Sequence, residues 1–251
     1  MQSSGFIVVE EFLIGSVISR SFSTIWRRPG IFLGLPLVLM VLLGLIVGLL
    51  ISTADWSLDS PNMAGNVMLV LAAIYVFGIL VQGAIAYAVY QTLCENEVTL
   101  WQSLGKALPR VPVLVFVCIL TGFCITVGFM LLIIPGLFLL TAWSVAVQAC
   151  VVERASLLTS IKRSETLTKG NRLKILGLII LVTVFGWIIG DSGLTVLLGA
   201  FINSPVVSII CYTLVKLLVM AFSSVMYAIV YFDLRTIDEG VSLEHLSHVF
   251  D

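Results

Sequence analysis

Six long apolar stretches, at about 31–52, 65–91, 111–134, 137–152, 174–190 and 206–232, leave this chain few folds. Runs of roughly 20 apolar residues match a hydrocarbon core about 30 Å thick. In hydrocarbon every backbone N–H and C=O must bond within the protein, so only helices and closed barrels cross it. The stretches are continuously apolar and do not alternate, which excludes a barrel. The rest of the chain cannot make a water-soluble globule. Only 11% of its 251 residues are charged, against about a quarter in soluble domains. The expected fold is an all-α polytopic membrane helical bundle, one domain over residues 1–251, with six transmembrane helices.

The basic residues are distributed unevenly around those stretches. The connections near 53–64, 135–136 and 191–205 contain no Lys or Arg. The intervening segments hold Arg20, Arg27 and Arg28, then Lys106 and Arg110, then Arg154, Lys162, Arg163, Lys169, Arg172 and Lys174, and finally Arg235. Twelve of the 13 basic residues thus fall on one side, and short loops rich in Lys and Arg stay in the cytoplasm. Both termini are therefore expected in the cytoplasm. Glu10 and Glu11 interrupt the first apolar run, and no basic leader or small-residue cleavage site marks a secretory signal. A net charge of −1 gives no global field for nucleic acid. The basic band instead favours anionic lipid head groups as partners.

Three segments of mixed polarity precede membrane hairpins. In 6–28, Ile14, Val17, Ile18, Phe22 and Ile25 recur at helical spacing opposite Glu10, Glu11, Ser19, Arg20, Ser23, Arg27 and Arg28. This pattern predicts a helix lying in the membrane interface, with Trp26 in the aromatic belt and Pro29-Gly30 turning the chain inward. Before the third stretch, Leu100, Trp101, Leu104, Lys106 and Leu108 form a shorter version that ends in Pro109-Arg110-Val111-Pro112. Before the fifth, a helix over 155–169 sets Leu157, Leu158, Ile161 and Leu167 against Lys162, Arg163, Glu165 and Lys169. Ser156 is its expected N-cap, Glu165 and Lys169 an i,i+4 pair, and Gly170 the left-handed C-terminal residue. The fold expectation thus gains three amphipathic interfacial helices on the cytoplasmic face. The Ile133-Ile134-Pro135-Gly136 connection is short enough to make the third and fourth stretches antiparallel neighbours, with a re-entrant hairpin as the rival reading. Residues 194–203 are apolar but too short to span and are expected on the outer interface.

Chemistry-bearing residues are few. Lys216 lies inside the sixth stretch, where a charge costs about 2.5–3.5 kcal/mol on insertion scales. It is a candidate ligand for an anionic group; the structural alternative is a lysine that snorkels or bonds to Gln82, Tyr75 or a backbone carbonyl. The Gly44-x-x-x-Gly48 and Gly186-x-x-x-Gly190 pairs permit close helix approach within the bundle or between copies. His245 and His248 are too few for a metal cage. The five cysteines show no C-x-x-C spacing, and neither a metal nor a cofactor is expected. No H-E-x-x-H, G-x-S-x-G or P-loop pattern occurs, and no span holds a His or a carboxylate pair, so the chain is not expected to be an enzyme.

Three patterns remain. They are Ile134-Pro135-Gly136, Arg163-Ser164-x-x-Leu167-Thr168-Lys169-Gly170-Asn171, and Tyr231-Phe232-Asp233-Leu234-Arg235 with Glu239-Gly240 after it. Together they resemble bacterial six-helix membrane proteins related to the membrane domain fused to some glycerophosphodiester phosphodiesterases. The resemblance implies a bacterial cytoplasmic (inner) membrane and a link to lipid metabolism. No phosphodiesterase domain is appended, so that activity is not expected to carry over. Asp233 and Arg235 fall just past the inner membrane edge, as do Glu153 and Arg154. Charges of both signs in one layer can form a clasp, for example Asp233 with Arg163 or Arg172, or Glu153 with Arg235. Arg27, Arg28, Arg163, Lys169, Arg172, Asp233 and Arg235 are thus candidates for the clasp or for anionic-lipid contact. The expected function is a non-catalytic membrane component supporting lipid or envelope homeostasis or a partner complex, with a homo-oligomer open. The alternative is a carrier for a lipid-like anion with Lys216, and Gln82 beside it, in the path.

Overall fold

The computed structural model describes residues 12–57, 60–94, 96–189 and 205–239. The expectations for residues 6–11, for the 194–203 segment, for His245 and His248, and for Gly190 and Gly240 lie outside the described residues. Every regular element among the described residues is helical. These are α1 (Ile14–Arg27), α2 (Pro29–Phe32), α3 (Gly34–Thr53), α4 (Met63–Leu93), α5 (Leu100–Ala107), α6 (Val111–Leu131), α7 (Ile133–Ala142), α8 (Ala146–Val152), α9 (Leu157–Thr168), α10 (Arg172–Gly186) and α11 (Pro205–Glu239).

Six helical runs are long and apolar enough to cross a membrane: Pro29–Thr53, Met63–Leu93, Leu100–Leu131, Ile133–Val152, Arg172–Ile189 and Cys211–Glu239. The chain is a multi-pass membrane protein. The third run begins well before the expected 111, because Pro109 and Pro112 do not break it. A 3-10 turn over Leu108–Arg110 joins α5 to α6, and Pro112 sits in the first turn of α6. First-turn N–H groups have no partner inside a helix, so a proline there loses no bond.

Burial is concentrated toward one end of the bundle. The buried part of α4 is Ile79–Thr92, that of α3 is Leu35–Leu39, and that of α11 extends from Leu217 to Arg235. Ala84, Ile85, Ala88 and Val89 of α4 share one core with Val225, Ala228, Ile229 and Phe232 of α11. Tyr90 stacks on Phe232 at 5.7 Å. The opposite half exposes Leu45, Leu49, Met68, Leu71, Phe123 and Met130. There a 360 Å³ apolar cleft lined by Ile51, Trp56, Val67, Val70 and Leu71 separates α3 from α4. In hydrocarbon such side chains lose nothing by facing lipid.

α6 and α7 form the expected antiparallel hairpin, but the reversal is at Leu132, whose backbone is extended, and not at Pro135-Gly136. Pro135 and Gly136 belong to α7. A Cβ on Gly136 would meet the Phe129 ring at 2.5 Å, and one on Gly128 would lie 3.1 Å from the Gly136 Cα. Glycine at 136 is therefore a packing requirement that seats the two backbones together.

The fourth apolar run, expected as one helix, is two. α7 ends at Ala142, and Trp143–Val145 form a turn before α8. A turn at membrane depth frees backbone groups that must find partners in the protein. α9 supplies them. The Ser164 hydroxyl donates to the Ala142 carbonyl at 2.8 Å and accepts from the Val145 N–H at 3.3 Å. The Thr168 hydroxyl also reaches the Ala142 carbonyl, at 3.3 Å. The buried face of α9 is accordingly Ser160, Ile161, Ser164, Leu167 and Thr168, and Leu158 is exposed. The expected apolar face is thus replaced in part by a hydroxyl stripe at four-residue spacing, which lets the helix approach the broken backbone closely. Ser156 occupies the N-cap position, but its hydroxyl meets Thr159 Oγ1 at 2.8 Å and caps no backbone group. Gly170 has φ +91°, the left-handed conformation expected of it.

α1 differs in the same sense. The interfacial reading would turn its apolar side toward lipid. Instead Val17, Ser21 and Thr24 are buried, flanked by Ile14, Ile18 and Ile25, against the bundle. Phe22 is exposed and meets the Phe222 ring of α11 at 4.9 Å. Ser21 folds its hydroxyl onto the Val17 carbonyl at 2.7 Å, so a small and internally satisfied residue allows the close approach.

Candidate functional site

The segments that carry the arginines meet at the well-packed end, and arginine side chains join them. Arg28 Nη1 donates to the Asn96 carbonyl at 3.0 Å, tying the segment before α2 to the α4–α5 connection. Arg110 Nη1 donates to the Arg154 carbonyl at 3.0 Å, tying the start of α6 to the α8–α9 reversal. Arg154 itself takes φ +51°, and the chain turns back there. Arg20 of α1 pairs with Asp233 of α11. Arg163 of α9 pairs with Asp238 and Glu239 at the end of α11.

Arg163 is the hub of this layer. Its Nε donates to Glu153 Oε1 at 2.9 Å and its Nη1 to Asp238 Oδ2 at 3.3 Å, while Nη2 reaches Glu239. Glu153 Oε1 also accepts the Tyr231 hydroxyl at 2.7 Å. Arg235 Nε donates to Glu239 Oε2 at 3.0 Å, an i,i+4 pair within α11. A planar guanidinium suits such multiple donation, and a lysine would not. Partial burial works against the charge on Arg163. The Glu153 hydrogen bond and the charges of Glu153 and Glu239 outweigh it and raise the pKa above the ordinary arginine value. Arg163 therefore stays charged throughout the accessible pH range.

The pairing differs from the one expected. Asp233 meets Arg20, not Arg163 or Arg172, and Glu153 meets Arg163, not Arg235. Asp233 is only 1% exposed, so its partner had to come from a helix packed directly on α11, and α1 is one of these. Arg20, Tyr231, Asp238 and Glu239 were not among the candidates. Their signal was weak: Arg235 and Glu239 stand at i,i+4, but nothing local links Arg20 to residue 233.

The remaining candidates are placed as follows. Arg27 and Lys169 are exposed, and Lys169 makes no ion pair with Glu165 among the described residues. Arg172 stacks its guanidinium on the Phe138 ring, 4.1 Å from the centroid. Lys216 is half-buried on α11, with Nζ 5.5 Å from the Tyr212 ring centroid. Gln82 is half-buried on α4. Gly186 packs on Val219, 3.3 Å from where its Cβ would be, whereas Gly44 and Gly48 face open space.

The hydroxyl stitch on the broken fourth run gives a direct prediction. Ser164→Ala removes a donor to Ala142 and an acceptor from Val145, so it lowers stability by about 2 kcal/mol. Ser223→Ala, whose hydroxyl bonds only its own helix at Val219 and Met220, lowers it by less than about 0.5 kcal/mol. Thermal unfolding in detergent micelles measures both. Equal losses would show that the stitch contributes nothing beyond an ordinary hydroxyl.

No family model, curated protein or solved structure matches this chain.

Proposed function

We propose that this chain is a non-catalytic, multi-pass protein of the bacterial cytoplasmic membrane that supports lipid or envelope homeostasis, or a partner complex, by holding anionic phospholipid at its basic end. The observation that carries this reading is the arginine-joined end itself, where Arg20, Arg28, Arg110 and Arg163 connect all four basic segments. On this reading that end faces the cytoplasm, with both termini there, as the distribution of Lys and Arg favours. α1, α5 and α9 then lie at the inner membrane interface. Trp26 and Trp101 support this placement. They are 85% and 75% exposed, which suits indole rings in a head-group layer. Arg27, Lys106, Lys162 and Lys169 are exposed beside the same helices and would meet lipid phosphates.

Native mass spectrometry of the detergent-extracted protein tests the reading. The wild type is expected to retain anionic phospholipid in preference to zwitterionic phospholipid. Indifferent retention overturns the lipid reading and leaves a protein partner. A second reading makes the chain a carrier for a lipid-like anion, supported by Lys216, the one basic residue inside the sixth apolar stretch. Lys216→Met would then remove the retained anion, whereas under the first reading it would not.

A further inference from the structure

The arginines differ in their partners. Arg20, Arg163 and Arg235 each have a carboxylate partner inside the protein, and Arg28 and Arg110 donate to backbone carbonyls. Arg172 differs from both. It opens α10 with its guanidinium over the Phe138 ring of α7, 4.1 Å from the centroid, and its Nε is buried without a hydrogen-bond partner. No ion pair or hydrogen bond satisfies its side chain among the described residues. A buried N–H without a hydrogen-bond partner is costly, and stacking of the guanidinium on a phenyl face recovers only part of that cost.

Its surroundings specify what would complete it. Lys169 and Lys174 flank it and are exposed. Glu165, the nearest acidic residue in the sequence, is exposed on α9 and makes no ion pair with either lysine or with Arg172 among the described residues. The first turn of α10 contains no acidic residue, and the Asn171 side chain does not cap it. Apolar surface lies alongside the charge, since Leu173 is 85% and Phe138 49% exposed. A free anion would use only the charge. An amphiphile with a phosphate head and acyl chains would use both.

We infer that Arg172, held by Phe138 and flanked by Lys169 and Lys174, is a specific site for the phosphate of a membrane phospholipid, with the acyl chains lying along the exposed apolar edge of α7 and α10. This deepens the lipid reading of the basic end and rests on it. A guanidinium can hold phosphate oxygens through two parallel N–H···O bonds, the geometry in which arginine binds most strongly.

The test uses the full-length protein, stripped of co-purified lipid in detergent and titrated with phosphatidylglycerol, with bound lipid counted by native mass spectrometry. Arg172→Gln is expected to weaken the tightest bound lipid about tenfold, the loss of one charge-assisted contact. Phe138→Leu keeps the charge but frees the fork, and weakens that lipid about threefold. Ser223→Ala, whose hydroxyl bonds only its own helix at Val219 and Met220, leaves it unchanged. Phe138→Leu provides the readout if Arg172→Gln does not fold. Lipid binding that neither variant alters overturns this site while leaving the basic-end reading intact. A wild type that binds phosphatidylglycerol no better than phosphatidylcholine overturns both. Inorganic phosphate at millimolar concentration is expected not to displace the lipid; displacement would overturn the lipid assignment in favour of a free anion.

Discussion

Arg163→Met is expected to destabilise the protein by about 3 kcal/mol. The three carboxylates that Arg163 joins, Glu153, Asp238 and Glu239, are each between one-fifth and two-fifths exposed. Each contact is therefore worth no more than a partly screened pair, about 0.5–1 kcal/mol. The larger consequence is what remains, a cluster of negative charge whose bridging cation is gone. Glu153 would keep the Tyr231 hydroxyl and Glu239 its pair with Arg235, but among the described residues Asp238 would lose its ion-pair partner. For a chain of this size 1 kcal/mol moves the unfolding midpoint by roughly 2–4 °C, so the midpoint falls by about 6–12 °C. Arg163→Lys is expected to recover less than half of that loss, because an ammonium cannot reach three carboxylates along one plane. Differential scanning fluorimetry in micelles measures both variants. A midpoint for Arg163→Met within a degree of the wild type would mean that the layer does not fasten α9 to α11.

The Arg20–Asp233 pair predicts an asymmetry. Asp233 has a side chain 2% exposed and Arg20 one that is 22% exposed. Arg20→Met strands a buried carboxylate, at a cost of about 3 kcal/mol. Asp233→Asn strands nothing comparable, because Arg20 can turn toward water while the amide fits the same space, and it costs about 1 kcal/mol. The double variant should be more stable than Arg20→Met alone, since the second change removes the stranded charge. Chemical unfolding of the four proteins closes the cycle. If the two single losses are equal and simply add, the residues are not coupled.

Much of this architecture was legible in the sequence. The six apolar runs announced their own lengths, and the resulting helical runs begin and end within a few residues of them except at the third, where prolines fell in a position that tolerates them, and at the sixth, which continues seven residues further to Glu239. The gathering of arginines was readable too, because each short segment between hairpins returns to the same end of the bundle. Of the charged residues near the inner edge, Arg163, Asp233 and Arg235 do form ion pairs, but with other partners than the spacing suggests. Asp233, Asp238 and Glu239 are close in sequence and differ mainly in the direction they face around α11. Which of them Arg163 meets depends on the rotation of α11 against α9, and no local pattern encodes that rotation. The Ser160, Ser164 and Thr168 stripe carried a periodic signal, but hydroxyls on a helix usually bond their own backbone, so the spacing alone did not identify a partner.

By itself, the sequence determined that the chain crosses a membrane as helices and collects its positive charge at one end. Both follow from summed transfer free energies, which depend on composition along the chain and not on contacts. Only the tertiary structure decided where the fourth run breaks and which carboxylates Arg20, Arg163 and Arg235 meet. Those outcomes rest on short-range contacts between helices far apart in sequence, where a quarter-turn of one helix exchanges every partner.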